Sequence, residues 1–380
     1  MNCCNDLPEK VQFKRYMRGL RQKIKRKIKN CKSLGHNWRA LESAKRELEF
    51  YKYPRYKKTA KFNYESNKRI CFNVPVSLDY YKKSHFHKTN AFIEQVRSCG
   101  FENERRIHLN FSNTRYISAA AMLSLLAEVD LILGRSKHRY NAVNFNHPND
   151  SKIESILNQV GFYDLVRKDK RKVKEFVDVS FWRFVSGNST EPLLASKMIR
   201  DIQNEVESKT GKNLYRGFIE AMSNSVEHAY LGTDLERKWW AFAGIKDGHL
   251  VVVICDKGVG IPSTLPRTRG FDLVRSLITS LFGPGAMDKD SSYIKAAAEI
   301  ANSRTNLPHR GKGLNDMKSV IRLIGSGMLS IFSNRGLYSF TAGHNDAERE
   351  ETYDFKTSVA GTIVEWVIPI EVSDEPHKSC

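Results

Sequence analysis

HLVVVICDKGVGIP, residues 249–262, reads as a short strand running into a glycine turn. Leu250–Cys255 is an unbroken apolar run rich in β-branched residues, too short for a helix and bounded by turn signals, which predicts a buried strand. The strand delivers Asp256 and then Gly258 and Gly260 into a tight loop. A carboxylate at a strand end can accept a hydrogen bond from an exocyclic amine, and glycines open backbone conformations closed to other residues and let a ligand approach the main chain. Taken alone, DxGxG is also a common turn.

Moving towards the N-terminus, NLYRGFIEAMSNSVEHAY, residues 213–230, has helical spacing. Residues three and four apart are neighbours on a helix, so Glu220, Asn224 and Glu227 or His228 form a polar stripe, opposite an apolar one of Phe218, Met222, Ser225 and Ala229. Asn is a poor helix-interior residue, and a carboxylate and an amide one turn apart suggest a site as well as a solvated face. Towards the C-terminus, HRGKGLNDMKSVIRLI, residues 309–324, places Gly311, Lys312 and Gly313 just before a helix starting near Leu314. A glycine loop at a helix start offers free N–H groups and a favourable dipole to phosphate oxygens, with Arg310 and His309 adding charge. Beyond it, Met328–Ser333, Leu337–Ala342 and AGTIVEWVIPI, residues 360–370, read as strands, with a turn at Asn334–Gly336 and Gly361–Thr362 opening the last.

In this order the four elements resemble the N box, the DxGxGI box, the GxGL box and the terminal GT motif of GHKL ATP-binding domains, the superfamily of gyrase, histidine kinases and mismatch-repair ATPases. The resemblance implies a C-terminal Bergerat-type α/β sandwich, a mixed sheet with helices on one face, over residues 191–372. It further implies that Asn224 coordinates Mg2+, that Asp256 binds adenine, and that Gly258, Gly260 and Ile261 abut the nucleotide. Gly311, Lys312, Gly313 and Leu314 would face the phosphates, and Thr362 would support Asp256 or a water. The roughly 50 residues from Ile261 to Gly311 would form an ATP lid that orders on binding. Glu220 would be the general base, for water in an ATPase or for a partner's serine in a kinase of the anti-sigma type. His36, His85 and His87 lack a following acidic residue, which weighs against a histidine kinase.

Between about Arg69 and Val166, short strands alternate with helices, the sign of an α/β unit. Arg69–Val74, Ile107–Phe111 and Asn141–Phe145 read as strands; Ala119–Ile132 and Ile153–Val160 read as helices. The segments IHLNFSNTRYISAAAMLSLLAEV and VNFNHPNDSKIESILNQVGFYDLV resemble STAS domains, assigned to residues 66–168. In that family a serine opening the helix is phosphorylated, whereas the matching position here is Ala119, with Ser118 one before it. The implied role is therefore structural or partner-docking. A connector, residues 169–190, carries the end of the basic run RKDKRKVK and then FVDVSFWRFV, read as a strand joining the next domain.

Composition frames these motifs. The 380 residues carry a net charge of +20, and residues 1–62 hold 19 Lys/Arg against 5 Asp/Glu. Phe13, Met17, Leu20, Ile24 and Ile28, then Trp38, Leu41, Ala44 and Leu48 after Gly35, predict a basic helical hairpin over residues 1–65. Residues 10–61 would attract nucleic acid or another polyanion, or simply form a solvated face. No leader-like apolar segment opens the chain, no membrane-spanning run is present, and seven scattered cysteines suggest neither disulfides nor zinc, so a cytoplasmic protein is expected. The expected whole is an α/β multidomain chain with tail 373–380, binding ATP and Mg2+. It would act as a slow ATPase switch whose STAS-like part packs against the ATPase or docks a partner, and the resemblance to GHKL domains implies an ATP-dependent homodimer. A trans-acting serine kinase and a nucleotide-gated nucleic-acid binder are the alternatives.

Overall fold

A computed structural model describes residues 22, 69–172, 176, 179–181, 184–193, 208–231, 233, 235–303, 313–343 and 348–370. The expected basic hairpin, Gly311, Lys312 and the tail 373–380 lie outside these residues, apart from the single position Gln22. The chain divides into two units, residues 1–65 and 66–380. The second unit holds both α/β parts.

Its first part holds the three strands and two helices that the sequence predicts, and adds a helix over Lys83–Val96 between the first two of those strands, two short strands and a helical turn over Phe162–Leu165. Strands β1 (Ile70–Asn73), β3 (Ile107–Asn110) and β5 (Val143–Asn146) form a parallel sheet in the order β1-β3-β5, with Phe72 beside Leu109 and Leu109 beside Phe145. Two short strands, β2 (Ser77–Leu78) and β4 (Tyr116–Ile117), pair to one side. Helices α1 (Lys83–Val96), α2 (Ala119–Arg135), α3 (Ser151–Gln159) and α4 (Phe162–Leu165) complete it. Asp150 caps α3 by accepting the Lys152 and Ile153 N–H groups. Helix α2 differs from the rest, because it is apolar on nearly every side and almost wholly buried. A helix of that kind must be covered all round.

The cover comes from the second part. Strands β6 (Val179–Phe181), β7 (Val185–Gly187), β8 (Trp239–Lys246), β9 (His249–Asp256), β10 (Gly327–Ser333), β11 (Gly336–Ala342), β12 (Arg349–Asp354) and β13 (Thr362–Pro369) form one sheet. Its order is β12-β11-β10-β13-β9-β8-β6, with β7 also on β8. Every pairing is antiparallel, which corrects the expected mixed sheet. The expected single strand over residues 176–185 is instead two, both on β8.

Side chains alternate across a strand, and here both faces are buried. Trp239, Ala241, Leu250, Val252, Ile254, Val364 and Trp366 face a layer that includes α5 (Ser208–Glu227) and α9 (Gly313–Ile324). Trp240, Phe242, Val251, Val253 and Ile363 share a core with α1 and α2. The helices of residues 191–372 thus lie on one face, as expected, and the central α/β part closes the other. A third small core joins α6 (Ile261–Arg269), α7 (Phe271–Phe282) and α8 (Asp290–Ser303). The segment expected as a lid is therefore helical as far as Ser303, with Val274, Ile278, Tyr293 and Ala296 buried inside it.

Candidate functional site

Helix α5 carries Glu220 and Asn224 one turn apart, both half-buried, while Phe218, Met222, Ser225 and Ala229 are buried on the other side. This is the division into two stripes that the spacing predicts. Helix α9 lies against α5, and its first residue fits against the polar stripe. A Cβ at Gly313 would stand 3.0 Å from Glu220 Oε2 and 3.3 Å from Asn224 Nδ2. Glu220, Asn224 and the start of α9 therefore meet in one place.

Asp256 ends β9 and is buried. Its Oδ1 accepts the Gly258 N–H at 2.9 Å, and Ser225 Oγ lies 3.4 Å from Oδ2. Thr362 stands beside Asp256 in the β9–β13 register and gives it a backbone hydrogen bond. Burial pushes the Asp256 carboxyl up to about 6, against the opposing effect of those N–H donors, the Lys257 charge and the Ser225 hydroxyl. Glu220 is also raised, by burial first and then by Asp316 and Glu227. A carboxyl held above its ordinary range in a half-closed site is a better proton acceptor than a surface glutamate.

Gly260 takes the left-handed backbone (φ 80°) that the glycine turn predicts, and both loop glycines also have a packing reason. A Cβ at Gly258 would sit 2.1 Å from the Ala229 carbonyl oxygen, and one at Gly260 would meet the Asn334 amide at 2.7 Å. Their lack of a side chain lets the loop close on the end of α5 and on the β10–β11 turn. Val259 N–H then bonds Ala229 O at 2.7 Å, and Asn334 Nδ2 bonds Val259 O at 2.9 Å. Ile261 N–H donates to Ser333 Oγ at 2.8 Å, and the Thr362 hydroxyl lies 3.0 Å from the same oxygen. Ile261 and Leu314 are each packed against both the sheet core and the α6–α8 core. Gly311 and Lys312 lie outside the described residues.

Sequence reasoning missed Asp316, in the first turn of α9 and near Glu220, and Ser225, assigned to the apolar stripe with no role. It also missed Ser333 and Asn334, which brace the loop from the β10–β11 turn. Only Asp316 carried a readable sign, an acidic residue in a first helical turn. Among the described residues no group of three or more His, Cys, Asp or Glu is arranged to hold a metal by itself. Among the described residues no helix is long and apolar enough to cross a membrane. No family model matches the chain, and no curated protein matches it.

Proposed function

We propose that the chain binds Mg-ATP between α5, the β9 end and the start of α9, and acts as a slow ATPase switch. The observation that carries this reading is the meeting of three distant segments: Glu220 and Asn224, the buried Asp256 beside Ser225 of the same helix, and Gly313. Buried Asp256 would accept the adenine amino group, with Gly258, Gly260, Ile261 and Thr362 forming that end. Phosphates would lie towards the α9 N-terminus, where N–H groups and the helix dipole favour anions; Gly313 and Leu314 would form that end.

The cradle beside Gly313, lined by one amide and one carboxylate, fits a Mg2+ ion that takes few protein ligands and completes its shell with phosphates and water. Asn224 would hold it, and the ion would neutralise phosphate charge. Glu220 would take a proton from water as its oxygen bonds the γ-phosphorus, while the β–γ bridging oxygen leaves with the electron pair of the broken bond as ADP. The central part, residues 66–168, would serve as the docking element for a partner.

The test is ATP binding and turnover for wild type, Asp256→Asn and Glu220→Ala, with products read as free phosphate or phosphoprotein. Binding by wild type, none by Asp256→Asn, and binding without turnover by Glu220→Ala is the expected pattern. Phosphate release supports the switch, whereas a phosphorylated protein would make the chain a kinase. Absence of binding by wild type would remove the reading.

A further inference from the structure

Asp256 and Lys257 are consecutive at the end of an extended strand, so their side chains leave on opposite faces. Asp256 faces α5; Lys257 faces α2. Lys257 is 2% exposed although it opens the loop. Its Nζ lies 2.7 Å from Ser124 Oγ, 3.5 Å from the Val359 carbonyl and 3.2 Å from Glu128 Oε1. Glu128 is wholly buried in the middle of α2, and Arg97 NH1 is 3.6 Å from the same oxygen. No hydrogen-bond donor is aligned on either Glu128 oxygen. Its charge is therefore balanced through space by Lys257 and Arg97.

Ion pairs in a core are a poor way to gain stability, because desolvation offsets most of the attraction; removing one partner is what is costly. This pair instead fixes a position. The Lys257 N–H donates to Tyr230 Oη at 3.1 Å, and Tyr230 Oη in turn donates to the Lys238 carbonyl. The backbone next to Asp256 is thus gripped by the α5 end on one side and by α2 on the other. Two further contacts hold α2 to the sheet. Trp240 Nε1 donates to Asp130 Oδ2 at 2.7 Å, and the Ala120 N–H near the start of α2 bonds Glu365 of β13.

We infer that Lys257 and Glu128 are positioning residues for the nucleotide site, through which the placement of α2 and the affinity of the Asp256 loop for ATP are coupled. The inference rests on the proposed Mg-ATP site. By reciprocity, ATP must then tighten α2 as much as α2 tightens ATP. The same joint gives the central α/β part a means of sensing the nucleotide without touching it.

The experiment measures ATP affinity for wild type, Lys257→Met, Glu128→Gln and the double variant, and hydrogen exchange of residues 124–130 with and without ATP. Each single variant is expected to weaken ATP by about tenfold, and the double variant by no more than the worse single, since the pair acts as a unit. ATP should slow exchange in α2 of wild type and not in the variants that fold. Folded variants that bind ATP like wild type, or a wild type that binds ATP with α2 exchange unchanged, would overturn the coupling alone. A wild type that binds no ATP would overturn the nucleotide reading and the coupling with it. Should both single variants fail to fold, the wild-type exchange result decides.

Discussion

Asp256 shows how a buried carboxyl can work against the fold that holds it. Its pKa rises from an ordinary 3.8 to about 6, so the protonated form is the one that the folded chain favours. The stability it confers is full below about pH 3.8 and is lost as pH rises to about 6, because the unfolded chain gives up its proton first. Asp256→Asn keeps an acceptor for the Gly258 and Thr362 N–H groups without the buried charge. Thermal melts above pH 6 should show the apo variant more stable than wild type, by on the order of 1–3 kcal/mol, while titration shows ATP binding lost. A variant that is both less stable and non-binding would instead mark Asp256 as a structural residue. Glycines give a second contrast. Gly258→Ala places a Cβ against a backbone oxygen that cannot retreat and should destabilise by on the order of 3 kcal/mol. Gly313→Ala meets only the mobile end of Glu220 and the Asn224 amide, so its melting temperature should hold while ATP affinity falls about tenfold or more.

Helix α2 and strand β13 decide most at the scale of elements. Glu365 of β13 is buried, beside the start of α2, with its pKa pushed up from 4.5 to about 8 by burial and then by Asp79. The protonated form stabilises the folded chain fully below about pH 4.5, and that contribution declines up to about pH 8 by on the order of 1.4 kcal/mol per pH unit. Glu365→Gln should therefore gain on wild type steadily through this window in pH-dependent melts and stop gaining above it. A constant difference would mean that Glu365 is already ionised. Ser118, at the N-cap of the same helix, is only 4% exposed, so its hydroxyl is closed to an external kinase in this conformation. Some elements are legible in the sequence and some are not. The β9 run and the α5 stripes follow from local pattern and stand where the sequence puts them. WWAFAGIK of β8 carries an apolar run, but one too mixed with small residues to predict a strand by itself. REETYD of β12 carries none, because edge strands are kept charged to discourage further pairing.

On the scale of the whole unit, the large sheet has no free apolar face among the described residues. A fragment of residues 176–380 would uncover Trp240, Phe242, Val251, Val253 and Ile363. Patches of that kind drive association. The fragment should bind an apolar dye and aggregate, whereas residues 66–380 should unfold in a single transition with agreement between fluorescence and far-UV probes. A monomeric fragment with an unchanged melting temperature would show that the two parts fold independently. The sequence by itself determined three strands and the helices α2 and α3 of the central part, the strand and helix motifs around Asp256, and the candidates Asp256, Glu220, Asn224 and Gly313. Those signals are periodicities of 2 and 3.6 and short glycine turns, which act within a few residues of chain. Only the tertiary structure decided that the sheet is antiparallel throughout, that α2 is sealed between the central part and the sheet, and that Lys257 reaches Glu128 across 129 positions of sequence. An apolar run states that a face must be covered, and a buried charge that it needs a partner. Neither names which distant segment supplies it, because that is settled by how the whole chain excludes water at once.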